Sequence, residues 1–350
     1  MKNVTQEDIA RRLKITRTTV ARALNNKGYV EASLKEQILR TAEEMGYRTN
    51  LVARSLAKKG GWNLYCFIVS YNEQFAQQLE DGLHAAESEF RHYGFRLHVY
   101  RHHPDHPEQQ LEDLQEVLKG KDADGLIIAP MLSERIVEMV DSMADPKLPI
   151  SSINLKFDTR RNLFYVGSDP YEGGRIAAEL LGHAMGGRGR IAVFNAFNQF
   201  EALYQRFRGF VTEIEKNPEI ETVEYCYLND IGDTYEKACE ILRKYPDLTG
   251  MYTNTEVMYL ARALEDTGRR DVKLIGNDVN EDVKQRITDQ SITMALHNRA
   301  YFQGYLSGKY MCNYLLNQVK PKREITYVGF DIVTRNNLDV DEYFRILTNG

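Results

Sequence analysis

From Leu64 to Leu296, short apolar runs alternate with amphipathic stretches, and this alternation restricts the fold more than any other feature of the chain. The apolar runs are Leu64–Ser70, Phe95–Tyr100, Gly125–Ala129, Ile150–Asn154, Arg190–Asn195, Met251–Thr253, Val272–Gly276 and Ile292–Leu296. Between them, Phe75–Tyr93, Glu108–Leu118, Tyr171–Met185 and Val257–Thr267 carry apolar residues at helical spacing. Strands separated by helices pair in parallel, and the helices cover both sheet faces, so such strands read as near-continuous apolar segments. A length of 350 residues points to two such lobes rather than one large sheet.

The front of the chain breaks this pattern. Lys58-Lys59-Gly60-Gly61 is a charged, flexible joint and the best domain boundary. Residues 1–60 hold 13 Lys/Arg against 6 Asp/Glu, whereas residues 61–350 hold 32 against 44. A basic head on an acidic body suits a polyanion-binding module, with chance clustering as the alternative. Thr5 followed by Asp8 fits a capped helix start, and Ile9 and Leu13 give that helix one apolar stripe. Thr16 can cap a second helix with Val20 and Leu24 inward, leaving Arg17, Thr18, Ala21, Arg22 and Asn25 outward. Ser33 with Glu36 reads as a capping pair for a third helix, with Leu34, Ile38, Ala42 and Met45 on one face and Gly46 as its stop. Three short helices with a tight first turn form a helix-turn-helix unit. No acidic residue lies between Asp8 and Glu31, while five Lys/Arg occur from Arg11 to Asn25. Repulsion by phosphate accounts for that absence better than a merely solvated face does. A major groove admits such a helix, and Arg can grip a guanine edge with two hydrogen bonds.

At this point the sequence resembles a known family. The run from Val4 to Lys59 is similar to the headpiece of LacI-type transcription regulators in its DIA helix, TTVARALN helix, YV turn, EEMGY helix end and N-x-x-A-R-S-L segment. The resemblance implies DNA contacts from Thr5, Thr16, Arg17, Thr18, Arg22, Asn25 and Tyr29. It also implies a hinge helix at Asn50 to Ala57 that lies in the minor groove, with Asn50, Ala53 and Arg54 on DNA and Leu56 wedged between base pairs. The other reading of Leu51, Val52 and Leu56 is a linker helix packed on the next domain. Ala21 stands where the family usually has Ser, and Thr49 where it usually has Pro, which bears on operator affinity and hinge pre-organisation.

The body resembles the effector domain of the same family, two Rossmann-like lobes of the periplasmic sugar-binding-protein type crossed three times by the chain. The expected fold is thus an all-α helix-turn-helix headpiece (residues 1–48), a hinge and linker (49–61), and a two-lobed α/β effector and dimerisation domain (62–336). One lobe is expected at about 62–160 plus 290–321, the other at about 161–289 plus 322–336, with a polar tail at 337–350. Ligands of open α/β sheets bind at the carboxyl ends of the strands, so two lobes clamp a ligand between them. By position and resemblance the effector residues are Asn72, Phe75, Asn154, Arg206, Asn254, Asp278 and Asn298. Phe75 reads equally as helix core. Arg206 in R-F-R-G-F is preferred over Arg208, and its fork of donors suits vicinal hydroxyls or a carboxylate. Asp278, in L-I-G-N-D-V, can accept from two hydroxyls. In Asp169-x-x-x-Gly173-Gly174 the glycines suit a close helix approach.

The resulting expectation is a DNA-binding repressor, dimeric (with a tetramer open), that reads a near-palindromic operator under control of a small sugar. A non-sugar effector or an activator of the same fold is the alternative. A Rossmann-type enzyme is remote, since no G-x-G-x-x-G follows a strand and no nucleophilic triad or P-loop is present, so no enzymatic activity is expected. No apolar run approaches the roughly 18 residues of a membrane helix, and MKNVTQEDIARRLK lacks a signal-peptide core, so the expected location is cytoplasmic. Cys66, Cys226, Cys239 and Cys312 read as reduced core thiols. His102, His103 and His106 read as a solvated loop, so neither a metal nor a cofactor is expected.

Overall fold

The computed structural model describes residues 4–24, 28–46, 58, 60–156, 159–196, 201–228 and 232–339. Three helices open the chain, Gln6–Leu13, Arg17–Leu24 and Ala32–Glu44. The first is closed by a reciprocal box. The Thr5 hydroxyl accepts from the Asp8 N–H at 3.3 Å, and the Asp8 carboxylate accepts from the Thr5 N–H at 2.9 Å. Thr16 caps the second helix, its hydroxyl accepting from the Thr19 N–H at 3.1 Å. Ile9, Val20 and Ile38 meet at the centre of this unit with Ala10, Ala23 and Ala42. The third helix departs from expectation at its start. Ser33 and Glu36 do not cap it; Glu31 is the cap position, and Ser33 already lies inside the helix, its hydroxyl donating back to the Glu31 carboxylate at 2.9 Å.

Twelve strands follow among the described residues: β1 (Trp62–Val69), β2 (Phe95–His102), β3 (Gly125–Ile128), β4 (Ile150–Ile153), β5 (Asn162–Gly167), β6 (Gly189–Ala196), β7 (Ile220–Leu228), β8 (Gly250–Glu256), β9 (Lys273–Asn277), β10 (Met294–His297), β11 (Ile325–Tyr327) and β12 (Asp331–Val333). They form two six-stranded sheets, ordered β11-β5-β4-β3-β1-β2 and β12-β10-β9-β8-β6-β7. Every pairing is parallel except β10 with β12. Helices Glu73–Phe90 and Ala300–Asn317 bury one face of the first sheet, and Pro107–Gly120 and Ser133–Met143 bury the other. The second sheet is covered by Pro170–Ala184 and Glu201–Ile214 on one face, and by Asp233–Lys244, Met258–Thr267 and Glu281–Thr288 on the other. The central strands are therefore buried, as are all four residues of Gly125–Ile128 and of Ile150–Ile153.

The expected lobe boundaries need correction. β5 falls in the first sheet, because Phe164 and Val166 are buried against helix Ala300–Asn317 in that core. β10 falls in the second, with Ala295 and Leu296 in its two cores. The first lobe thus runs to Gly167 and resumes with helix Ala300–Asn317 and β11, whereas β12 returns to the second. β5, β7, β11 and β12 are absent from the sequence reading. β7 is an edge strand in which Ile220 and Cys226 are buried among residues that are half-buried or exposed, and β11 and β12 are three-residue edges.

Helices Pro170–Ala184 and Glu201–Ile214 touch backbone to backbone. A Cβ on Gly174 would overlap the Arg206 carbonyl, and one on Gly209 the Tyr171 carbonyl. The close approach expected of Gly173-Gly174 is present and fixes where Arg206 stands. All four cysteines are buried and free. His102 is not in a solvated loop: it ends β2, is 2% exposed, and shares a 2.8 Å hydrogen bond with Asp113.

Candidate functional site

Burial of Val20 and Ala23 turns Arg17, Thr18 and Arg22 of the second helix to solvent. Other arginines of the headpiece are tied to acids, Arg11 to Asp8 at 3.6 Å, Arg12 to Glu44 at 3.9 Å and Arg40 to Glu44 at 3.1 Å. Among the described residues, neither Arg17 nor Arg22 has an acidic partner. Tyr29 stands 90% exposed just beyond that helix. The Thr5 and Thr16 side chains are engaged in helix caps, a structural role that leaves each hydroxyl on the headpiece surface. Asn25, Asn50, Ala53, Arg54 and Leu56 lie outside the described residues.

The second site is the cleft where the carboxyl ends of both sheets meet. Asp278 follows β9 with φ +60°, and its carboxylate accepts from the Asn298 side-chain amide and, at 3.4 Å, from the Tyr71 hydroxyl of the opposite lobe. Two further bonds cross between lobes. The Glu281 N–H donates to Gln74 Oε1 at 3.1 Å, and His297 Nε2 lies 3.3 Å from Gln78 Oε1. Desolvation and the Asp278 charge push the Tyr71 phenol well above its ordinary value, so it stays a hydrogen-bond donor.

Arg206 Nη1 donates to the Asn254 carbonyl at 3.0 Å. Asn254 is fully buried, its amide donating to Asn195 Oδ1 at 2.8 Å and to the Leu203 carbonyl at 3.1 Å. Arg206 Nε and Asn195 Nδ2 are buried donors without an acceptor. Such donors are costly unless something fills the space beside them. Arg208 points outward, its guanidinium 5.9 Å from the Tyr204 ring centre. Behind Arg206, Phe210 and Tyr252 stack at 3.8 Å.

The structure brings Arg206 to Asn254 and Asp278 to Asn298. It gives other expected residues different work. Asn72 Oδ1 accepts from the Phe75 N–H at 3.0 Å and so caps helix Glu73–Phe90. Phe75 is buried in the first core, and the ring of Tyr71 lies 5.5 Å from it. Asn154, at φ +59°, closes β4, and its carbonyl accepts from the Tyr165 hydroxyl at 2.9 Å. Tyr71, Asn195 and Glu256 escaped the sequence reading. The first two sit at the ends of strands β1 and β6, where the strand-end rule alone would have found them; Glu256 was hidden because β8 runs three residues beyond Thr253.

Where the chain crosses between lobes, Arg299 (φ +51°) donates to Asp331 at 2.9 Å and to the Val328 carbonyl at 3.2 Å. Ser168 Oγ and Gln303 Nε2 both donate to the Asn298 carbonyl, at 3.1 and 2.7 Å. Burial opposes ionisation of Asp331, but hydrogen bonds from His297 and Arg299 outweigh it and bring the carboxyl down to about 2.

Residues 65–318 match the family model described as periplasmic binding protein domain, and residues 5–50 the one described as bacterial regulatory proteins, lacI family. The chain is 25% identical to the ribose operon repressor of Bacillus subtilis (strain 168) over 340 residues, covering 93% of this chain and 97% of that protein. It is 24% identical to the ribose operon repressor of Halalkalibacterium halodurans over 287 residues, 78% of this chain and 80% of that one. In structure it is similar to a glucose-galactose binding protein from Geobacillus stearothermophilus, with a TM-score of 0.70 at 21% identity over 81% of this chain and all of that one. Among the described residues, no helix is long and apolar enough to cross a membrane. The chain belongs to the LacI family of bacterial regulatory proteins, a helix-turn-helix headpiece of that family carried on a periplasmic-binding-protein-like domain.

Proposed function

We propose that this regulator is a repressor of carbohydrate genes, gripping a near-palindromic operator as a homodimer and changing that grip when a small sugar occupies the cleft. The observation that carries it is the exposed second helix, whose Arg17 and Arg22 have no acidic partner among the described residues. Cations left unpaired on a helix of groove-entering size suit phosphates and base edges. In this reading Arg17, Thr18, Arg22, Asn25 and Tyr29 contact the operator, with Thr5 and Thr16 placing backbone and hydroxyl near phosphates. Asn50, Ala53, Arg54 and Leu56 form the minor-groove hinge. Arg206, Asn254, Asp278 and Asn298 hold the effector, with Asn72, Phe75 and Asn154 shaping the first-lobe wall. The names of the relatives, ribose operon repressors, favour a sugar effector. A repressor must couple the two sites, and contacts that link the lobes are where an effector gains leverage. Fluorescence anisotropy of labelled operator duplexes, selected from random-sequence DNA, tests the reading. Sequence-selective binding that a sugar shifts supports it, and binding indifferent to sequence at moderate salt overturns it.

A further inference from the structure

The charge of the cleft says which sugars fit, granted the sugar-responsive reading above. Two carboxylates stand together at the carboxyl ends of adjacent strands. Glu256 ends β8 and pairs in register with Asn277 of β9, and Asp278 is the next residue. Asp278 is engaged by Tyr71 and Asn298, whereas the half-buried Glu256 carboxylate has neither a hydrogen bond nor an ion pair among the described residues. Its carboxyl is pushed above its ordinary value, first by burial and then by the Asp278 charge. Both carboxylates bear on the Tyr71 phenol, as does the Arg206 guanidinium. Among the described residues Arg206 has no acidic partner and is bound to a backbone carbonyl instead.

Neutral polar groups stand with them. Asn195 is 1% exposed at the end of β6, and its Nδ2 and the Nε of Arg206, two side chains that both engage Asn254, are unsatisfied donors. We infer that the cleft takes an uncharged polyhydroxylated ring and rejects its acidic counterparts, with Glu256 as a second carboxylate that sets this preference. Hydroxyls serve every group present. They donate to Glu256 and Asp278 and accept from Asn195 Nδ2 and Arg206 Nε, so each orphaned group gains a partner. A phosphate or carboxylate on the same ring has no proton to give the two carboxylates. It would place a third negative charge beside them, in a space where charge is poorly screened.

Calorimetry on the full-length protein tests this with D-ribose, D-glucose and D-galactose against D-ribose 5-phosphate and D-galacturonate. The neutral sugar that binds best should do so at least tenfold more tightly than its acidic counterpart. In Glu256→Gln, which keeps shape and removes charge, that ratio should narrow severalfold. The wild-type ratio needs no variant and so survives a misfolded one. Tighter binding of an acidic sugar, an unchanged ratio in a folded Glu256→Gln, or no binding by any neutral sugar would each overturn the inference. Operator binding measured on the same preparation separates the two readings: selective DNA binding beside an acidic-sugar preference leaves the regulator standing and removes only the charge assignment.

Discussion

Arg22 and Asp278 carry opposite halves of the account and can be separated by single substitutions. Arg22→Ala should weaken operator binding about 10- to 100-fold, the roughly 1–3 kcal/mol of a two-bond base contact, while sugar affinity is unchanged. Calorimetry and anisotropy on one preparation would check this, and a parallel loss of both affinities would make Arg22 structural. Asp278→Ala removes the acceptor shared by Tyr71 and Asn298, so the effector response should vanish while operator affinity persists. A normal response after this change would move the pocket elsewhere. At this scale the sequence was informative where one chemical demand dominates. Arg206 and Arg208 sit two residues apart on one helix, and the resemblance of R-F-R-G-F to the family's R-x-x-G-F motif favours the former; the structure turns Arg208 outward. Asn72 was harder, since an Asn after a strand suits a ligand and a helix cap equally, and its Oδ1 serves the cap. Tyr71 gains its partner from the other lobe, about 200 residues away, and no local pattern announces that.

Elements hold these side chains in place. Gly174→Ala would drive a Cβ into the Arg206 carbonyl and force helices Pro170–Ala184 and Glu201–Ile214 apart. A loss of about 1–3 kcal/mol in denaturant unfolding is expected, with effector affinity weakened because Arg206 moves with its helix. An effector affinity equal to wild type would show that the helix pair does not position Arg206. The interlobe crossing makes a pH prediction. Asp331 has a folded value of about 2 against an ordinary 3.8, so it adds stability above pH ~4 that is lost as pH falls toward 2. Asp331→Asn should therefore lower Tm at pH 7 but converge with wild type near pH 2, and a gap constant across that range would contradict the ion pair with Arg299. Buried central strands were legible because both faces are apolar. Edge strands β7, β11 and β12 were not, since most of their residues are half-buried or exposed and their pairing is decided by the neighbour rather than by their own pattern.

For the whole molecule, the basic head and acidic body act as separate electrostatic units. Operator affinity should fall steeply between about 50 and 200 mM salt, since released counterions drive much of such binding. Sugar affinity should hardly move, because an uncharged ligand displaces no counterions, and a steep salt dependence of sugar binding would argue for a charged effector. The alternation of strands and helices made the two-lobed plan readable, but not the crossing points, because β5 and β10 join their sheets through cores completed by residues distant in sequence. The claim that unites the scales is that cleft occupancy sets the grip on DNA, and linkage makes the effect reciprocal. The most direct measurement is the operator Kd of the full-length protein with and without the best-binding sugar at saturation. The account predicts a shift of at least about tenfold, matched by an equal shift in sugar Kd on adding operator; identical operator Kd values with the cleft empty and filled would contradict it.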